Sequence, residues 1–159
     1  MAERRMFAKT IIDSDAFIDM PVTARLLYYD LGMRADDDGF VNNWKSIMKM
    51  TGTKEDDLKL LIAKQYIITF ESGVIVIRHW RLNNYLRQDR YKETKFKEEK
   101  SQLYLGKNDE YTLENSNGTP TGIPVVYTDK NRIDKNRLDY INNNNNDEIF
   151  DYDWISEEE

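Results

Sequence analysis

The sequence predicts an α+β fold, mainly helical, and three observations predict it. Residues 21–35 carry apolar side chains at helical spacing. Two shorter helical stretches, 44–50 and 53–64, are separated by Thr51-Gly52. Behind them lie two β-branched and aromatic runs, Tyr66-Ile67-Ile68-Thr69-Phe70 and Val74-Ile75-Val76-Ile77, joined by Glu71-Ser72-Gly73. Such runs around a short Gly-containing turn form a β-hairpin. Helix, turn, helix and hairpin in that order are the layout of a winged helix-turn-helix domain.

The 159 residues suffice for one domain with its own core, followed by a tail. The chain has no cysteine and one histidine, His79. Disulfides and thiolate metal sites are thereby excluded, a His-based triad or metal cluster is not expected, and neither an enzyme nor a metal or cofactor is expected. No apolar run is long enough to span a membrane. The first residues lack the hydrophobic stretch of a signal peptide. A cytoplasmic protein without membrane contact is expected. The net charge of -6 is unevenly placed. Residues 1–100 hold 18 Lys and Arg against 16 Asp and Glu, whereas residues 101–159 hold 5 against 13. Within 78–100 the count is 8 against 4, so the basic charge is local and the acid lies in the tail.

Taken in order, residues 6–12 are ambiguous between extended chain and a first helical turn. Asp13-Ser14-Asp15 offers N-caps for a short helix at Ala16-Phe17-Ile18. Pro21 pre-sets a stronger helix running to about Ala35. Val22, Leu26, Tyr29 and Met33 share one face of it, and Ala24, Leu27, Tyr28, Leu31 and Ala35 a face nearly opposite. Apolar on two sides, this helix is expected to be buried between other elements. Asp36-Asp37-Asp38-Gly39 lacks the ligand spacing of a calcium loop and reads as a solvated turn with Gly39 at positive φ. A very short strand, Phe40-Val41, follows. Asn42-Asn43 caps the helix at Trp44. Thr53, with Asp56 three residues on, is a variant capping box for the next helix, whose first turn gains from Glu55, Asp56 and Asp57. After the hairpin, residues 78–100 read as helix with irregular patches, with Trp80, Leu82, Tyr85 and Leu86 packing back on the domain. The domain is expected to span 1–105. Residues 106–146 read as a linker, with turn residues at 115–124, a repeated Asp-Lys-Asn-Arg and an asparagine run. Residues 147–159 form an acidic-aromatic tail, and the region beyond the domain is expected to be disordered.

Three blocks carry a resemblance. Arg5-Met6-Phe7-Ala8-Lys9-Thr10-Ile11-Ile12-Asp13-Ser14-Asp15-Ala16-Phe17 resembles the opening of the replisome-organiser proteins of phages of Gram-positive bacteria. So does Met33-Arg34-Ala35-Asp36-Asp37-Asp38-Gly39-Phe40-Val41-Asn42-Asn43. His79-Trp80, Asn83-Asn84-Tyr85 and Asp89-Arg90-Tyr91 make the third block. The resemblance implies a winged-helix DNA-binding domain that recognises a phage origin and helps recruit replication proteins. The C-terminal domain that often carries host-protein contacts in that family has no counterpart in this sequence, which implies a truncated or specialised member.

The residues point to DNA contacts unevenly. On the second helix of the helix-turn-helix, Leu58, Leu61 and Ile62 face the core. Its outer face holds Asp56, Leu60, Ala63 and Lys64, with Lys59 at the edge, a poor surface for reading bases. Lys45 and Lys49 share a face of the preceding helix. Arg78, Arg81, Arg87, Arg90, Lys92, Lys95 and Lys97 are numerous enough for several phosphate contacts. Tyr85 and Tyr91 are base-stacking candidates. The competing reading makes Trp80, Tyr85 and Tyr91 core residues and pairs the cations with Asp89, Glu93 and Glu98. In the tail, Phe150, Tyr152, Trp154 and Ile155 between acids resemble a short motif for a replication, host or phage protein partner. Two functions compete: DNA binding in replication initiation, and a protein-binding module that inhibits or regulates a replication, transcription or defence protein. A homodimer is compatible with either.

Overall fold

A computed structural model describes residues 3–114 and 119–121 of the chain. The partner-motif residues Phe150, Tyr152, Trp154 and Ile155, and most of the expected linker, lie outside the described residues. The described part is α+β: α1 (Lys9–Ile12), α2 (Asp15–Ile18), α3 (Val22–Arg34), β1 (Phe40–Val41), α4 (Trp44–Thr51), α5 (Glu55–Ala63), β2 (Ile67–Thr69), β3 (Ile75–Ile77), α6 (Trp80–Asn83), α7 (Lys97–Ser101), β4 (Tyr104–Leu105), β5 (Tyr111–Thr112) and β6 (Thr119–Pro120).

Pro21 fixes the entry to α3, which packs on α4 and α5 and buries Ala24, Leu27, Tyr28 and Leu31. Gly32 lets the N-terminal segment approach: a Cβ there would lie 2.8 Å from the Phe7 ring. The expected burial on two sides is corrected. Val22, Leu26 and Met33 are exposed, Val22 by 71%. Phe7 and Phe17 reach only the middle of that face, where their rings meet Tyr29 edge-on.

The first sheet has the order β1-β3-β2, all antiparallel, with Phe40 opposite Val76 and Ile68 opposite the same residue from the other side. β3 is central, so both its edges are paired, and Ile75, Val76 and Ile77 are all buried. Gly73, at φ 81°, closes the hairpin. The Trp44 indole donates to the Gly73 carbonyl at 2.9 Å and ties the start of α4 to this turn. Between α4 and α5, Gly52 takes the left-handed conformation that ends α4. The cap of α5 falls one residue later than the sequence pattern suggests. The Asp57 carboxylate, rather than Asp56, accepts from the Lys54 amide at 2.9 Å, and its other oxygen accepts from the Thr23 hydroxyl at 2.7 Å, linking α5 to α3. The Thr53 hydroxyl is taken up by Thr51 instead.

Two further expectations change. Residues 78–100 are not one irregular helix; only α6 and α7 are helical, and 84–96 runs without regular structure. The Arg90 and Tyr91 amides close a turn on the Arg87 carbonyl, whereas three later backbone donors go to side chains: Lys92 N–H to Asp37, Thr94 N–H to Asp38 and Phe96 N–H to the Thr94 hydroxyl. The fold also continues past residue 105. Leu103, Leu105 and Tyr111 are core residues, β4, β5 and β6 form a second sheet of order β5-β4-β6, and the Tyr111 amide donates to the Arg78 carbonyl at 2.9 Å. No helix among the described residues is long and apolar enough to cross a membrane.

Candidate nucleic-acid interface

The basic segment behind the hairpin is built on the acidic loop between α3 and β1. Asp36, Asp37 and Asp38 are not a solvated turn: Asp37 and Asp38 are 5% and 7% exposed. One Asp36 oxygen accepts from the amides of Asp38 and Phe40, closing the turn, and the other accepts from the Thr94 hydroxyl. Asp37 accepts from the Arg5 guanidinium at 3.1 Å and from the Lys92 amide at 3.0 Å. Asp38 accepts from the Tyr91 hydroxyl at 2.8 Å and the Thr94 amide at 2.8 Å, and pairs with Lys100 at 3.1 Å. The loop carbonyls are used as well. Ala35 accepts from Arg5, Asp37 from the Trp80 indole and Asp38 from the Tyr111 hydroxyl. Gly39 takes φ 91° with the Trp80 ring against it, where a Cβ would come within 2.5 Å of Cγ.

This wiring sets the local protonation chemistry. Burial raises the Asp36 carboxyl above its ordinary value, opposed by the hydrogen bonds from Thr94, Phe40 and Asp38. Burial, then the adjacent Asp38 charge, pushes up the Tyr91 and Tyr111 hydroxyls, so both stay protonated as donors. The Arg5–Asp37 pair is almost fully buried, and Arg5 also lies 5.1 Å from the centre of the Trp80 ring. Such a pair stabilises only while both partners are present, because either charge left alone would be buried without compensation.

The predicted site residues divide into two sets. Arg78 is half-buried and bound to Gln65 and, at 3.3 Å, to Glu110. Arg81 is half-buried, and its charge acts on the Tyr111 hydroxyl. Tyr85 is half-buried too. Tyr91 is 39% exposed, yet its hydroxyl is committed to Asp38 and the Lys100 ammonium lies 5.6 Å from its ring centre. Lys97 is exposed and pairs with Glu93 at 3.2 Å. Arg87, Arg90, Lys92 and Lys95 are exposed, with the Lys92 backbone held at Asp37. On α4 and α5, and just after α5, Lys45, Lys49, Lys59 and Lys64 are exposed. Lys45 lies over the Trp44 ring at 5.3 Å, and Lys59 makes a loose helical pair with Glu55 at 3.9 Å. Leu58 and Leu61 face the core as the helical wheel indicates, leaving Glu55 and Asp56 outside.

Sequence reasoning missed Thr94 and Lys100 as the fixings of this segment, Arg5 as a fixing of the acidic loop, and Lys54 as a further exposed cation at the start of α5. For Thr94 and Lys100 the one signal in the sequence is an acidic triplet followed by a basic segment without helical periodicity; Arg5 and Lys54 have none. No group of three or more metal-ligating side chains is found among the described residues. No family model, curated protein or solved structure matches the chain.

Proposed function

We propose that this chain is a winged-helix nucleic-acid-binding protein acting in DNA replication initiation of phage type, without catalytic activity. The observation that carries the reading is the exposed set Arg87, Arg90, Lys92 and Lys95 on one irregular segment anchored to the domain. The order α3-β1-α4-α5-β2-β3, with a β1-β3-β2 sheet, supports the winged-helix part. The replication role rests on the resemblance to replisome organisers. Contacts of this kind are made to phosphates and carry little sequence information. The acidic start of α5 and the short Glu71-Ser72-Gly73 turn are poor readers of base edges. Binding is therefore electrostatic in origin and releases counterions.

The test is a titration of the full chain against labelled duplex and single-stranded DNA at two salt concentrations. Affinity is expected to fall steeply with salt. In a variant with Arg87, Arg90, Lys92 and Lys95 all changed to Ala, affinity falls and the salt slope becomes shallower by roughly 0.7–0.9 for each phosphate that is no longer neutralised. Absence of salt-dependent binding by the unmodified chain defeats the proposal. That result would favour the second reading, a protein-binding module, which draws support from exposed Glu55 and Asp56 near an exposed Met50 in sequence.

A further inference from the structure

The geometry points to the Asp36-Asp37-Asp38 loop as the positioning element of the nucleic-acid segment, with Asp38 at its centre. This rests on the nucleic-acid reading above and adds a claim to it: binding depends on buried carboxylates that themselves repel the ligand. Residues 84–96 have no helix or strand to fix them. Beyond one turn, in which the Arg90 and Tyr91 amides donate to the Arg87 carbonyl, their order comes from outside. The Tyr91 hydroxyl, the Thr94 amide and Lys100 converge on Asp38, the Lys92 amide goes to Asp37 and the Thr94 hydroxyl to Asp36. Thr94, 3% exposed, is the buried centre of the stretch, and the exposed cations Arg87, Arg90, Lys92 and Lys95 lie on either side of it in sequence. A cation on an ordered backbone loses less conformational freedom when it meets a phosphate than one on a loose chain, so anchoring raises affinity without any new interaction.

Asp38→Asn separates positioning from charge, because the two predict opposite signs. The substitution removes one negative charge next to a surface that binds a polyanion, so Coulomb attraction alone makes the variant bind more tightly. It also replaces one acceptor oxygen by an N–H₂ donor, so a single amide oxygen with two lone pairs is left for three donors, the Tyr91 hydroxyl, the Thr94 amide and the Lys100 ammonium. Positioning therefore makes the variant bind more weakly. Tyr91→Phe is the companion: it keeps the ring and the net charge and removes only the hydroxyl donated to Asp38.

The experiment uses the full chain. Affinity for a labelled DNA duplex and a labelled single strand is measured for the unmodified protein and both variants, with amide exchange recorded in parallel. The expected result is a loss of roughly tenfold for Asp38→Asn and a smaller loss for Tyr91→Phe, on the scale of disordering one or two long side chains. Amides of Lys92 and Thr94 exchange faster in both, while those of β3 and α3 keep their protection. Equal or tighter binding by Asp38→Asn overturns the positioning role and leaves the nucleic-acid reading standing. An unmodified protein that binds neither DNA overturns both. Should Asp38→Asn fail to fold, Tyr91→Phe decides alone: unchanged affinity with unchanged exchange at Thr94 overturns the inference.

Discussion

At the scale of single residues, two positions test how tightly the acidic loop and the hairpin are joined to the rest. Gly39 combines a left-handed backbone with a buried indole pressed against it. Gly39→Ala meets both penalties, the conformational strain and a clash that only movement of Trp80 relieves. Trp80 is 2% exposed and its indole N–H is bound to the Asp37 carbonyl, so it has little room to yield. The variant is expected to lose about 2–4 kcal/mol, read as a lower urea midpoint with unchanged slope. His79 adds a pH dependence. Burial lowers its pKa from 6.5, although Glu110 at 3.6 Å works the other way. A group with a depressed folded value takes up a proton more readily when unfolded. The stability it contributes is present above the ordinary imidazole value and is lost as pH falls through the folded one. Thermal midpoints are expected to drop from about pH 7 to about pH 5, and to drop less in His79→Gln, which has nothing to titrate there. A variant with the same pH profile as the unmodified chain would assign the loss to other groups.

At the scale of elements, what could be read from the sequence is what local chemistry decides. Pro21 and the apolar spacing behind it mark α3, Gly52 separates α4 from α5, and Gly73 between two β-branched runs marks the hairpin. Each signal lies within a few residues of the element it specifies. The errors fall where a distant partner decides instead. The Val22, Leu26 and Met33 face of α3 has the same periodicity as a buried face, yet these three are exposed, and the Phe7 and Phe17 rings meet it at Tyr29. The cap of α5 shifts because Asp57, not Asp56, also reaches Thr23 on α3. Residues 84–96 have enough helix-tolerant side chains to suggest a helix. Two carboxylates of the loop before β1, Asp37 and Asp38, accept from the Lys92 and Thr94 amides, and Asp36 accepts from the Thr94 hydroxyl, so these donors are satisfied without helical bonds. The candidate cations were legible as a group from charge density. The division into outward residues and residues consumed by the fold was not, because Glu110 and Gln65 decide it for Arg78.

At the scale of the whole molecule, the charge distribution and the extent of the folded unit lead to one prediction with two arms. The compact unit reaches Val125. Residues 1–125 carry equal numbers of cations and anions, 19 of each, so all of the net charge of -6 belongs to residues 126–159. A chain ending at 125 is therefore neutral where the full chain is strongly acidic, and it keeps every exposed cation of the proposed interface. It is expected to bind DNA more tightly than the full chain at low salt, with the difference shrinking as the Debye length falls from about 30 Å at 0.01 M to about 8 Å at 0.15 M. A chain ending at 105 behaves differently, although it retains the same cations. It lacks Tyr111, a core residue whose hydroxyl satisfies the Asp38 carbonyl and whose amide satisfies the Arg78 carbonyl. Loss of that side chain costs about 1.5–3 kcal/mol of burial, and each carbonyl left without its donor adds to the deficit. The shorter chain is expected to melt at a lower temperature and to bind DNA less well than the 125-residue chain, even though its net charge is two units more positive. Circular-dichroism melts beside the salt-dependent titration separate the arms. Equal stability of the two truncated chains would remove the second sheet from the support of the interface, and equal DNA affinity of the full and 125-residue chains at low salt would show that the acidic tail does not act on the interface at all.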